Sequence, residues 1–245
     1  MQGIYEPKGA AREYGELAVN LYRGCSHGCV YCYAPGITHQ TRNDFINPKP
    51  RDGIIEQINK DMRRLNVPGQ DTTPIFLCFT CDPYQPIDAE YEVTRQAILA
   101  IHRYGFPVRI LTKGGMLAQR DFDLLGPQDE FGVTLTCLRA RDCAVWEPNA
   151  ARTGYRIENL KEAHRRGIRT WVSFEPVLLN HDETLVLIED IAPVSDRIMV
   201  GRWNHDVRAN SINWNKFGYE AEALLQSLSK SYYIKAALRK EMHTK

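Results

Sequence analysis

A chain of 245 residues, 43% hydrophobic and 25% charged, has the makeup of an ordinary globular protein and the length for one domain with an ample core. Thirty-one Lys and Arg against thirty Asp and Glu leave a formal net charge of +1, which excludes whole-molecule attraction to a polyanion. No apolar run approaches the roughly 20 residues that span a bilayer, and residues 1–6 lack the apolar core of a secretory signal, so a cytoplasmic protein without membrane contact is expected.

In chain order, short apolar runs alternate with longer amphipathic stretches. The runs expected as strands are 17–22, 75–80, 108–112, 132–136, 169–174 and 197–200. Several are apolar throughout, as parallel strands covered on both faces require. The stretches between them carry apolar residues at three- and four-residue spacings and are expected as helices over 52–65, 92–104, 116–125, 154–166, 182–191 and 216–228. Gly105 and Gly167 stand where helices stop. Six strand-then-helix repeats imply right-handed crossovers and a parallel sheet. A full eight-fold barrel needs eight strands; six are defensible here, with 232–234 as a short edge strand. The fold class expected is therefore α/β, a partial (β/α)6 barrel, with an open sheet of flavodoxin kind as the rival. No internal repeat, low-complexity tract or linker divides residues 1–245. Residues 201–245 form a C-terminal extension packed on the core, with eight Lys/Arg, the last of them Lys245, against four acids.

Between the first strand and the first helix lies Arg23-Gly24-Cys25-Ser26-His27-Gly28-Cys29-Val30-Tyr31-Cys32-Tyr33. Three thiolates gathered in one loop can hold three irons of a [4Fe-4S] cluster and leave the fourth open to a substrate or cofactor. Gly24 and Gly28 suit a loop that wraps tightly. A tetrahedral zinc with His27 or His39 as fourth ligand is the alternative, although zinc ligands usually come as two separated pairs. Seven cysteines is an odd number, which argues against a disulfide framework. Cys78, Cys81, Cys137 and Cys143 make a poor second cluster, because Cys78 and Cys81 point to opposite faces of a regular strand.

The C-x3-C-x2-C spacing, with Tyr31 before its last cysteine, resembles the radical S-adenosylmethionine (SAM) enzymes. That resemblance implies the partial barrel of radical SAM type, a [4Fe-4S] cluster held by Cys25, Cys29 and Cys32, and SAM on the open iron. It also implies an electron donor such as flavodoxin or ferredoxin, whose electron breaks the sulfonium bond to give a 5'-deoxyadenosyl radical. The carboxyl ends of the strands should then carry the ligand site, and hydroxyls and charges do gather there. Asp82 and Thr80 suit the SAM ammonium, Lys113 its carboxylate, Thr136 or Ser173 the ribose or carboxylate, and Asn204 with Tyr31 the adenine. The stretches Thr80-Cys81-Asp82-Pro83-Tyr84-Gln85-Pro86, Leu111-Thr112-Lys113, Arg120-Asp121-Phe122-Asp123-Leu124-Leu125 and Glu147-Pro148-Asn149-Ala150 resemble the branch related to spore photoproduct lyase. In that branch a cysteine on the second strand returns a hydrogen atom, assisted by tyrosines beside the cluster. Tyr31 and Tyr33 match the tyrosines. The expected cysteine position falls on Phe79, and Cys81, at the strand end, is the nearer candidate; Cys78 reads as core. Two long loops, 33–51 and 139–153, read as lids.

Three functions follow. The first is radical SAM chemistry on a large substrate, with nucleic acid as one class. The second is the same chemistry on a small molecule or a partner protein. The third is a non-catalytic iron–sulfur or zinc protein. The substrate, the hydrogen-atom donor and the oligomeric state are not legible.

Overall fold

The computed structural model describes residues 3–243 other than 68, 70, 71, 179 and 180, so Lys245 lies outside the described residues. The strands are β1 (Ile4–Tyr5), β2 (Leu17–Val19), β3 (Tyr22–Arg23), β4 (Lys49–Pro50), β5 (Ile75–Leu77), β6 (Val108–Thr112), β7 (Glu130–Thr134), β8 (Arg169–Phe174), β9 (Arg197–Val200) and β10 (Ser231–Ile234). Eight of them make one sheet in the order β1-β2-β5-β6-β7-β8-β9-β10, while β3 and β4 form a separate hairpin. Only β1 runs antiparallel to its neighbour; every pairing from β2 to β10 is parallel. β1 and β10 are opposite edges, so the sheet is an open, partial barrel. Its six inner strands are the six read from the sequence, and 232–234 falls in β10 as the expected edge strand. β1 is too short to leave a periodic signal.

The side chains of these strands divide into two sets. Ile75, Leu77, Val108, Ile110, Phe131, Val133, Val172, Phe174, Ile198 and Val200 belong to the main core. There they meet the helices α1 (Ile54–Leu65), α2 (Val93–His102), α4 (Thr153–Arg165) and α5 (His181–Ile191), with α3 (Ala140–Trp146) and, further on, α6 (Trp214–Ser227) and α7 (Ala236–Met242). Alternate residues, Ala18, Phe76, Trp171 and Met199, form a second cluster with Tyr14 on the concave face. The continuous apolar runs thus reflect two covered faces. Gly132 of β7 lies under the Trp171 indole of β8; a Cβ there would meet ring atoms at 2.4 to 2.7 Å. At the base of this face Arg109 makes a bidentate pair with Glu130 at 2.7 and 2.8 Å and donates to the Tyr14 carbonyl at 2.6 Å.

Helix boundaries follow the capping logic. α2 ends before Gly105 (φ +74°) and α4 before Gly167 (φ +75°). The helix expected over 116–125 is instead a 3-10 segment, Gly115–Asp121. Gly115 there takes φ +61° with its backbone packed against Ala151, a close approach that an α-helical start would not permit. The strand expected over 75–80 stops at Leu77, because Cys78 adopts φ +74°. β7 covers Glu130–Thr134 rather than 132–136, shifted by two residues and so with the same faces.

Candidate active site

Each segment leaving the carboxyl end of a parallel strand contributes to one cavity of about 540 Å³. Cys78, Phe79, Thr80, Cys81 and Asp82 follow β5; Lys113 follows β6; Thr134 closes β7; Glu175 follows β8; Arg202 to His205 follow β9; and Lys235 follows β10. Cys25, Cys29 and Cys32 line the same cavity and also line a smaller one of about 110 Å³, enclosed by Gly28, Pro35, Arg42, Asn43, Phe45 and Ile46.

The loop bearing these cysteines is held mainly by its backbone. Cys25 N–H donates to the Phe45 carbonyl at 2.7 Å, and Gly24 (φ +95°) is so close to that carbonyl that a Cβ would stand 2.5 Å from its oxygen. Gln85 accepts from Ser26 N–H at 3.0 Å and donates to the Gly24 carbonyl at 3.3 Å. Val30 N–H reaches the Trp146 carbonyl at 2.9 Å, and Asn149 donates to the Ser26 carbonyl at 3.0 Å. The two loops read as lids are therefore clamps: 33–51 carries short helices and β4, and 139–153 carries α3, and both grip the cysteine loop.

The three thiols are spaced too widely for a single ion. Zinc–sulfur bonds of roughly 2.3 Å require the donors to stand close together. Among the described residues the one group of three such donors within 4.8 Å of one another is Cys137, Cys143 and Glu147, not the cysteine loop. That spacing, and a pocket lined by all three sulfurs, fit a polynuclear centre. His27 is buried with Nδ1 3.5 Å from the Asp82 carboxylate, and burial holds its pKa below the usual imidazole range. Burial pushes the Cys29 thiol up to about 12 and raises Cys25 and Cys32 as well, so loading a metal must release protons.

Asp82 is committed largely to structure. Its Oδ1 accepts from Tyr84 N–H at 2.9 Å and the Thr112 hydroxyl at 2.6 Å and its Oδ2 from Lys113 N–H at 2.7 Å, which ties the β5 end to the β6 end, fills Oδ1 and leaves the remaining acceptor capacity on Oδ2. The Lys113 ammonium has no hydrogen bond or ion pair among the described residues. Burial would lower its pKa, but Cys29, Glu147 and Asp82 outweigh that and hold it above the usual value. Thr80 and Asn204 line the cavity; Asn204 Nδ2 lies 3.3 Å from Glu175. Thr136 and Ser173 stand one step behind the cavity wall. The Thr136 hydroxyl donates to Glu147 at 2.8 Å, and the Ser173 hydroxyl pairs with Tyr14 at 2.9 Å. Cys78 is buried in the main core, as expected, while its positive φ ends the alternation of β5, so that it and Cys81 both also border the cavity.

Two ionic groups, the buried Glu147 and the partly buried Glu175, had no role expected from the sequence. Glu147 accepts from Arg156 at 2.5 Å, from Thr136, and from the Tyr31 hydroxyl, and so anchors the aromatic residue of the cysteine loop. Burial would raise the Glu147 pKa, yet the Arg156 and Lys113 charges and these hydrogen bonds hold it below the usual range. Glu175 accepts from Lys235 and from Tyr14, each at 2.5 Å, and the Lys235 ammonium lies 4.1 Å from the centre of the Tyr14 ring. Both glutamates precede a proline in the sequence, the one signal that set them apart. Phe76 and Phe79 stack at 4.1 Å and 12° in the cavity floor, and Tyr33 stands exposed at its mouth with His205 at 6.2 Å. Arg202 Nε and Trp203 Nε1, of two residues that line the cavity, are buried without a partner, as polar atoms awaiting a ligand would be.

The chain is similar in sequence and fold to known proteins. The chain is 26% identical over 217 residues to a "Radical SAM Nalpha-GlyT isomerase" of Pseudomonas phage M6, which covers 85% of this chain and 41% of that protein. It is 34% identical over 129 residues to the uncharacterized protein Rv2578c of Mycobacterium tuberculosis, which covers 49% of this chain and 35% of the relative, so the matched part spans about a third of that protein. A solved spore photoproduct lyase complexed with dinucleoside spore photoproduct superposes with a TM-score of 0.70 at 14% identity, covering 94% of this chain and 79% of the other, a likeness of fold. No helix among the described residues is long and apolar enough to cross a membrane. The profile of the Radical SAM superfamily, whose members use a [4Fe-4S] cluster and SAM, matches residues 19–191, from β2 through the cysteine loop to the end of α5. The chain belongs to the radical SAM superfamily.

Proposed function

We propose that the chain is a radical SAM enzyme acting on a nucleobase-bearing substrate, with Cys25, Cys29 and Cys32 as cluster ligands. The observation that carries this is the meeting of three cysteines, spaced beyond the reach of one ion, with a cavity large enough for a nucleotide-sized cofactor and a further ring. A [4Fe-4S] cluster held by Cys25, Cys29 and Cys32 would supply one-electron reduction of SAM. The residues of the chain bind and orient. Lys113 offers an unpaired ammonium to the SAM carboxylate, Thr80 and the remaining capacity of Asp82 face its ammonium, and Asn204 with Tyr31 flanks the adenine. Thr136 and Ser173 act through Glu147 and Tyr14 rather than by touching the cofactor. Cys81, with Cys78 beside it and Tyr31 and Tyr33 across the cavity, is the candidate hydrogen-atom donor.

A nucleobase is supported by the partly exposed Phe79 ring, backed by the buried Phe76 ring stacked beneath it, since bases stack on aromatic faces with roughly 1–3 kcal/mol each. It is supported also by the dinucleoside bound in the lyase that shares the fold. The test is anaerobic reconstitution followed by dithionite and SAM. About four irons per chain and formation of 5'-deoxyadenosine are expected, and Cys25→Ala, Cys29→Ala and Cys32→Ala each abolish both. A chain that loads zinc alone, or iron without responding to SAM, ends the proposal. Oligonucleotide binding that weakens steeply with salt is expected; substrate turnover confined to a free metabolite or a protein side chain would move the chemistry to those classes.

A further inference from the structure

The hairpin beside the cysteine loop carries a charge arrangement that folding does not need. Arg23 on β3 and Lys49 on β4 are direct cross-strand partners, both exposed, and neither side chain has a hydrogen bond or ion pair among the described residues. Like charges set opposite one another weaken a two-stranded pairing, and a ribbon this short is already marginal. Arg42 adds a third cation: its guanidinium donates to the Val30 carbonyl at 2.9 Å and stands 3.4 and 3.5 Å from the carbonyls of Cys29 and Cys32. From residue 20 to residue 50 these three Lys/Arg face one acid, Asp44, which is occupied by the Thr41 hydroxyl at 2.6 Å. Val30 and Ile46, both exposed, lie beside Arg42. Exposed apolar side chains among unpaired cations are the composition of a protein-binding surface.

The same surface is a thin cover over the small pocket. That pocket has Cys25, Cys29 and Cys32 on one side and Arg42, Asn43 and Ile46 on the other, and the last three are exposed. The large cavity is assigned above to SAM and substrate. A reductant that approaches across residues 42–46 therefore reaches the cysteines without displacing either of them.

We propose that the face formed by Arg23, Lys49, Arg42, Val30 and Ile46 docks an acidic one-electron donor protein, of reduced flavoprotein or ferredoxin type. The proposal rests on the cluster assignment above. One electron leaves the donor and one enters the cluster; no bond is made or broken and no proton changes hands. The retained repulsion between Arg23 and Lys49 has its use in steering such a partner, since complementary charge acts chiefly on association rate.

The experiment compares two reductants on the reconstituted protein by stopped flow: dithionite, which needs no docking, and a reduced acidic flavodoxin. Arg23→Glu and the double variant Arg23→Glu/Lys49→Glu should slow the second-order reduction by flavodoxin on the order of tenfold and flatten its dependence on ionic strength. Reduction by dithionite and dithionite-driven SAM cleavage should be unchanged. Arg23→Glu sets opposite charges across the hairpin, so its Tm should be no lower than that of the unmodified protein, which separates lost docking from lost folding. Unchanged flavodoxin rates in both variants overturn the docking face alone. So do variants that lose oligonucleotide binding while keeping the flavodoxin rate, which would give the face to nucleic acid. An unmodified protein that takes no electron from dithionite overturns the cluster assignment and this proposal with it.

Discussion

Replacing Glu147 by alanine probes the largest electrostatic commitment behind the site. The carboxylate is buried and joins three partners: the Arg156 guanidinium at 2.5 Å, the Thr136 hydroxyl at 2.8 Å and the Tyr31 hydroxyl. Arg156 is itself fully buried and keeps two backbone acceptors, the carbonyls of Ala151 at 2.7 Å and Thr134 at 2.9 Å. Removing one member of a buried pair costs about 3–5 kcal/mol, because the other charge stays buried and uncompensated. The two surviving hydrogen bonds of Arg156 put Glu147→Ala toward the lower end of that range, near 3 kcal/mol. For a domain of this size that is a fall in Tm of roughly 6–12 °C. Glu147→Leu/Arg156→Met should recover much of the loss, since the pair is removed together and its volume refilled. The acid dependence follows from the depressed carboxyl. A folded pKa below the unfolded value means stability that is present above the unfolded value near 4.5 and is lost as pH falls through the folded one; Glu147→Gln should remove that part of the acid slope. Thermal unfolding from pH 3 to 7, monitored by circular dichroism, measures all three. A loss for Glu147→Ala below about 1 kcal/mol, the range of ordinary surface changes, would refute the reasoning.

Three further outcomes are expected. Gly132→Ala drives a methyl into the Trp171 ring at 2.4 Å and should destabilise by about 1–3 kcal/mol through overpacking; a neutral result in denaturant unfolding would mean that the indole moves freely. Asp129 accepts from Val108 N–H, Gly126 N–H and His102, which outweigh its burial and keep its pKa low. Its contribution should thus be complete above the unfolded value near 3.8 and fade below it, and an acid unfolding curve identical in Asp129→Asn contradicts this. Cys78→Ala/Cys81→Ala should keep the iron content and SAM cleavage while changing the products formed, and an unchanged product profile shows that neither thiol returns a hydrogen atom.

What the sequence disclosed and what it hid follow from the range of the interactions involved. The inner strands are legible because a strand buried on both faces has to be apolar along its length, as Ile75, Phe76 and Leu77 are. The cysteine loop is legible because its three cysteines lie within eight residues of one another in the chain. Cys78 is legible as a core residue, but the end of its strand is not, because one positive φ at Cys78, whose N–H donates to the Val19 carbonyl, stops the alternation that a regular strand would continue to residue 80. Glu147 and Arg156 are nine residues apart on either side of a loop, and nothing local to either marks them as a pair. Lys235 lies 60 residues from Glu175 and joins it only because β10 pairs with β9 in register, Ile234 beside Val200.

These hidden contacts share a placement that bears on how the site is made rigid. Glu147 holds Tyr31, Gln85 holds Ser26 and Gly24, Asn149 holds Ser26, and Arg42 holds the carbonyls of Cys29, Val30 and Cys32. None of them is one of the three loop cysteines, and each fixes the backbone of that loop or its aromatic residue. A loop with two glycines at positive φ has little conformational preference of its own, so the geometry of its three thiols is imposed by polar residues from the segment after β5, from the residues that follow α3 and from the 42–50 segment. The C-x3-C-x2-C spacing brings the three cysteines into one loop, and the polar contacts around that loop determine where their sulfurs stand.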